Sequence, residues 1–210
     1  MAIKLEDLKF AELDALKEVG NIGAGNAATA LSQILGKRVD MTVPSARVLS
    51  LDKVPEILGG TENLVVGVYL RMFGDIQGNM MFLLPTKSAE KLVEMLLGVS
   101  EESGINGEIS QSAMMEVGNI LASSYLNALS QFSSLTIVPS TPALAYDMAG
   151  AILSTILIEL SEVSDYALLI ETEFKEDGEA IDGSFFMLPD LDSLHILLKT
   201  IGVAKNEWAN

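Results

Sequence analysis

Two short stretches of this chain set a carboxamide one helical turn after a carboxylate, Glu18 before Asn21 and Glu116 before Asn119, each inside the tetrapeptide Glu-Val-Gly-Asn. A carboxamide is no general base near neutral pH, but it offers an acceptor and two donors at fixed geometry. It can therefore hold a water molecule in line with a phosphoryl group, where positioning rather than proton abstraction lowers the barrier. The neighbouring carboxylate can anchor a lysine on a substrate protein. Any metal would then arrive with the substrate. The plainer reading makes the glutamates surface charges and the asparagines local partners for backbone groups beside a glycine-weakened helix. Recurrence at the same spacing counts against it.

That recurrence extends well past the tetrapeptide. With Glu18 laid on Glu116, ten of the sixteen positions from Glu18 to Gln33 agree, too many for chance, and the same alignment pairs Pro44 with Pro142. Further on, MFLLP (81–85) matches FFMLP (185–189) and LLGV (96–99) matches TIGV (200–203). The chain reads as an internal duplication, one domain of two repeats spanning about 10–99 and 108–203, with EESGINGE (101–108) as their connection. Asp14, Glu18 and Asn21 follow at i, i+4 and i+7, so they share one stripe of a helix; Ser112, Glu116 and Asn119 repeat it. Where the copies diverge, Gly23 corresponds to Leu121, Gly25 to Ser123 and Asn26 to Ser124. These glycines read as helix-packing or helix-bending features of the first copy, whereas Glu and Asn read as demanded from outside the helix.

The elements that must carry these residues follow the same order in each copy. An amphipathic helix comes first, with Leu13, Leu16 and Val19 at helical spacing in one copy and Ala113, Met114, Val117, Leu121 and Leu129 in the other. Strands follow: RVDMTV, ENLVVGVYLRMF and GNMMFLLP, then LTIVPS, YALLIETEF and GSFFMLP, with hairpin chemistry in KEDGEAIDG. Closing helices SAEKLVEMLLG and LDSLHILLKTIG end at Gly98 and Gly202 as cap residues. Short turn-rich connections imply antiparallel pairing. The fold class expected is α+β, internally duplicated and pseudo-twofold, an antiparallel sheet packed with helices.

Composition narrows the chemistry. The 210 residues are 49% apolar, enough for a sizeable core. With no cysteine and a single histidine, thiol nucleophiles, disulfides, zinc-thiolate sites and His-dependent triads lack their parts; His195 reads as a helix residue. A net charge of −16 disfavours nucleic acid and anionic lipid surfaces, and a basic or metal-bearing partner suits it better. The same acidity also serves simply to keep an apolar chain soluble. The acidic N-terminal stretch does not read as a signal peptide, and the apolar run near Ala149–Leu160 is too short to span a bilayer. A cytoplasmic protein without membrane insertion is expected. GNIGAGN follows a helix rather than a strand and lacks Gly-Lys-Ser/Thr, so it is a poor phosphate loop or dinucleotide fingerprint. The methionines read as core filler, with Met114–Met115 a candidate adaptable surface.

The pattern Asp/Ser-x3-Glu-x2-Asn-x22-Pro is present twice without a gap: Asp14, Glu18, Asn21, Pro44, then Ser112, Glu116, Asn119, Pro142. In this the chain resembles the CheC/CheX/FliY family of bacterial chemotaxis phosphatases, over nearly its whole length. The resemblance implies hydrolysis of the aspartyl phosphate on the response regulator CheY. Asn21 and Asn119 would enter the regulator's active site to orient the attacking water, and Glu18 and Glu116 would contact the regulator's lysine. It implies no cofactor beyond the Mg²⁺ that the regulator brings. It also implies a second partner, the deamidase CheD, for which the lone charge Asp147 in PALAYDMAGAIL is a candidate contact. The plainer reading of Asp147 is the N-cap of a following helix. The competing function is a non-catalytic regulator-binding or flagellar-switch scaffold; relatives of that kind lack the Glu/Asn motif.

Overall fold

A computed structural model describes residues 8, 10–98, 104–160, 166–176 and 179–200. The element order is α1 (Phe10–Leu35), β1 (Asp40–Thr42), β2 (Ala46–Ser50), a short α2 (Val54–Ile57), β3 (Leu64–Gly74), β4 (Gly78–Pro85) and α3 (Thr86–Leu97). It then runs again as α4 (Glu108–Ser133), β5 (Ile137–Pro139), β6 (Ala143–Met148), α5 (Ala149–Leu160), β7 (Tyr166–Glu176), β8 (Glu179–Pro189) and α6 (Leu191–Thr200). The fold is α+β, with one eight-stranded antiparallel sheet ordered β1-β7-β8-β4-β3-β5, to which β2 joins on β7 and β6 on β3. Among the described residues, no helix is long and apolar enough to cross a membrane.

The two halves exchange strands. β1 and β2 pair with β7, Met41 opposite Phe174 and Val48 opposite Leu168. β5 and β6 pair with β3, Phe73 opposite Val138 and Val68 opposite Leu144. The hairpins β3/β4 and β7/β8 meet at the centre, where Phe82 faces Phe185. Neither half closes its own sheet, so each supplies the edge that the other lacks. One face of the sheet carries α1 and α4 over Val66, Val68, Leu70, Phe82, Leu168, Ile170 and Phe185, all buried. The other face carries α2 and α5 over Val65, Met81, Leu83, Leu169 and Phe186.

The glycines of the long helices show how closely they pack. An interior glycine costs a helix about 1 kcal/mol relative to alanine, so each calls for a reason. A Cβ on Gly20 would lie 3.4 Å from Val43 and 3.6 Å from Ile170, and one on Gly118 would lie 2.9 Å from Val68 Cβ. Each helix thus rests on the long strand of the opposite half. A Cβ on Gly23 would meet the Tyr125 Cα at 2.8 Å, so this glycine sets the α1–α4 separation as a packing residue should. Gly25 does not pack: a Cβ there meets nothing within 4 Å, which leaves only the helix-bending alternative of the two expected. Tyr125 beside Gly23 is buried, its ring lies tilted 5.6 Å from that of Phe185, and desolvation pushes its hydroxyl pKa upward.

Gly98 caps α3 in the left-handed conformation, φ 71°, and its N–H donates to Glu94 O at 2.8 Å; Gly202 lies outside the described residues, as do 101–103 of the connection. The β7/β8 hairpin closes with Glu176 opposite Glu179, and Asp177 and Gly178 between them lie outside the described residues. Met114 is fully buried, which makes it core rather than docking surface. Asp147 is not the cap of α5. It is an exposed residue of β6 whose Oδ1 accepts the Met148 N–H at 2.7 Å. The first amides of α5 are satisfied from the main chain instead, Ala149 N–H by Asn63 O at 2.8 Å and Gly150 N–H by Thr61 O at 2.9 Å. With those donors taken, the helix has no use for an aspartate cap.

Candidate functional site

The four letters of Glu-Val-Gly-Asn divide by direction. In both helices the valine is buried in the core (Val19, Val117) and the glycine packs on the sheet (Gly20, Gly118), whereas the glutamate is exposed and the asparagine half-buried. Helical periodicity enforces this: residues one apart are rotated by roughly 100°, so two neighbours turn inward and the flanking pair stays at the rim. Asp14 and Ser112 are exposed one turn before the glutamates. Each helix therefore presents a carboxylate and a carboxamide on an outward edge. Ile22, next to Asn21, leaves 42% of its surface in solvent and adds an apolar contact to the first edge. Its counterpart Ile120 is half-buried. The sequence reading passed over these isoleucines, although EVGNI repeats as a pentapeptide.

The two asparagines differ in how they are held. Asn21 Nδ2 donates to Lys17 O at 3.2 Å, and Asn21 Oδ1 accepts the Val43 N–H at 3.0 Å. Val43 immediately precedes Pro44, and a residue before proline is confined to extended conformations. The spacing Asn-x22-Pro thus has a physical content in the first copy: the amide pins the backbone where the proline stiffens it. An amide oxygen has two lone pairs and its nitrogen two hydrogens, so Asn21 keeps one acceptor and one donor site for an incoming group. Local backbone satisfaction, the plain alternative for this residue, holds for half of its capacity. Asn119 makes no side-chain hydrogen bond among the described residues. In the second copy the strand approach is fastened elsewhere, Ser140 N–H donating to Arg71 O at 2.8 Å and Arg71 N–H to Ser140 Oγ at 2.9 Å. Pro44 is exposed and Pro142 half-buried. The two prolines border the strand entries rather than sitting on the helical edges.

A stability difference follows. Asn21→Ala leaves the Val43 N–H without its acceptor and is expected to cost about 1 kcal/mol, while Asn119→Ala stays within about 0.5 kcal/mol of the parent. Urea titration of the two single variants checks this.

The remaining candidates separate from the edges. His195 is exposed on α6, and Asp147 lies on β6 at the mouth of α5.

The chain thus combines an eight-stranded antiparallel sheet, two long helices on one face and a Glu/Asn pair at the rim of each. The CheC-like family matches at residues 12–47 and 109–146, the two stretches that run from each long helix into the exchanged strands. The CheY-P phosphatase CheC of Bacillus subtilis (strain 168) is 39% identical over 202 residues, covering 94% of this chain and 97% of that protein. The flagellar motor switch phosphatase FliY of the same organism is 26% identical and covers 94% of this chain, but only 51% of the relative is matched. The crystal structure of Thermotoga maritima FliY superimposes with a TM-score of 0.74 at 24% identity over 92% of this chain and 97% of that one, which establishes the fold. The chain belongs to the CheC-like family.

Proposed function

We propose that this protein hydrolyses the aspartyl phosphate of CheY-P by offering it two edges, Glu18/Asn21 on α1 and Glu116/Asn119 on α4. The observation that carries the proposal is the placement of both Glu/Asn pairs at the rim, glutamate exposed and asparagine half-buried, on helices whose Val and Gly between them face the interior. The 39% identical relative named as a CheY-P phosphatase supports the substrate. In this reading the glutamate meets the regulator's lysine and sets the register, and the asparagine amide enters the phosphoryl site. The amide oxygen accepts from the attacking water and turns its lone pair toward phosphorus. The new P–O bond forms as the acyl phosphate P–O bond breaks, the regulator's aspartate leaves as carboxylate, and the water's proton passes to phosphate or solvent. No intermediate forms on this chain.

Among the described residues no group of three or more His, Cys, Asp or Glu could hold a metal ion; in this reading the Mg²⁺ arrives with the regulator. The duplication with repeats of about 10–99 and 108–203 belongs to the same proposal, as the origin of two equivalent edges, as does docking of CheD near the exposed Asp147. A purely scaffolding role has no use for an outward carboxamide repeated at the same register. The test is to mix the protein with phosphorylated CheY and Mg²⁺ and follow phosphate loss, with and without CheD. A rate above that of CheY-P alone is expected, and an unchanged rate refutes the proposal.

A further inference from the structure

Gly25 lies in the middle of the 26-residue helix α1, and no contact among the described residues accounts for it. Gly20, Gly23 and Gly118 each have a neighbour that a side chain would strike, but Gly25 is exposed, with open space within 4 Å of where its Cβ would be. Its backbone is helical and free of the left-handed conformation that would favour glycine. The position continues the motif stripe: Asp14, Glu18, Asn21 and Gly25 follow at i, i+4, i+7 and i+11, one face of three successive turns. Immediately beyond, an open groove lies between α1 and the edge strand β1, with Gly25, Thr29, Ser32, Asp40 and Thr42 on its walls. In α4 the equivalent residue is the half-buried Ser123. An exposed helix position kept without a side chain, next to an amide meant to enter another protein's active site, fits close approach by a foreign backbone.

We infer that Gly25 is a specificity-determining contact of the first edge, where the main chain of the phosphorylated receiver domain comes against α1 after Glu18 and Asn21 have engaged. The inference rests on the phosphatase reading above. It makes the first edge sterically more open than the second, so the two edges select among receiver domains differently.

The test isolates the first edge by placing Gly25→Ala and Gly25→Leu in an Asn119→Ala background and measuring steady-state hydrolysis of CheY-P. KM is expected to rise with side-chain size, by roughly tenfold or more for leucine, while kcat changes much less. The melting temperature should not fall, since both residues favour helix and meet open space; this separates lost docking from lost folding. An unmoved KM overturns the inference, and so does an Asn119→Ala chain with no activity, while the unsubstituted protein still speeds phosphate loss. If the unsubstituted protein gives no acceleration, the phosphatase reading itself has failed.

Discussion

With Asn21 and Asn119 both replaced by Ala, the protein is expected to remain folded and to lose roughly 100-fold or more of its acceleration of CheY-P hydrolysis, the scale set by misplacing a reacting group. An amide that holds water in line contributes where the transition state forms, so removing it lowers kcat rather than merely raising KM. The glutamates remain in this variant and still present their charge, so binding of the regulator should persist. Each single replacement is expected to retain partial activity, because the edges lie on separate helices. Stopped-flow or labelled-phosphate assays on the three variants, alongside a binding measurement, separate lost chemistry from lost docking.

The largest expected stability effect lies at the junction of the halves. Phe82 of β4 is fully buried, faces Phe185 of β8 across the sheet, and lies 5.8 Å from the ring of Phe174 on β7. Gly183 makes the space: a Cβ there would fall 2.6 Å from Phe82 Cε2. The ring thus joins the first half to two strands of the second. Phe82→Ala removes the ring and leaves a hole that three rigid strands cannot collapse around, which costs about 3–5 kcal/mol. That is a large part of the 5–15 kcal/mol typical of a domain. Since β1 and β2 depend on β7, and β5 and β6 on β3, the halves should unfold together. Urea unfolding is expected to show one transition with a lowered midpoint and an unchanged slope; two separate transitions would contradict the exchanged-strand account.

Much of this architecture could be read from local pattern. The hairpins stood out because ENLVVGVYLRMF and GNMMFLLP are long apolar runs with turn residues between them, and their counterparts near 166–189 repeat the arrangement. β2 and β6 went unread. ARVLS has no fully buried position, and ALAYDM alternates half-buried and exposed residues; each is held chiefly by pairing with the long strand of the opposite half, a contact that local periodicity does not carry. The same lack of long-range information made Asp147 look like a helix cap. The Glu/Asn pairs were legible because Glu-Val-Gly-Asn recurs in the sequence at the same spacing to a proline. The bond from the Val43 N–H to Asn21 was not, although the shared spacing to Pro44 and Pro142 hinted that helix and strand entry meet. For Gly25 the packing alternative fails because a Cβ there meets nothing within 4 Å, which a glycine-rich stretch of sequence cannot reveal.

The most direct test of the central claim substitutes carboxylate for carboxamide. Asn21→Asp and Asn119→Asp together preserve side-chain shape while removing the amide's donors and placing negative charge beside the phosphoryl group. If the amide works by holding water, the double variant should hydrolyse CheY-P no faster than the regulator does alone. If the double variant matches or exceeds the parent protein, the amide is not what steers the water, and that result would contradict the account.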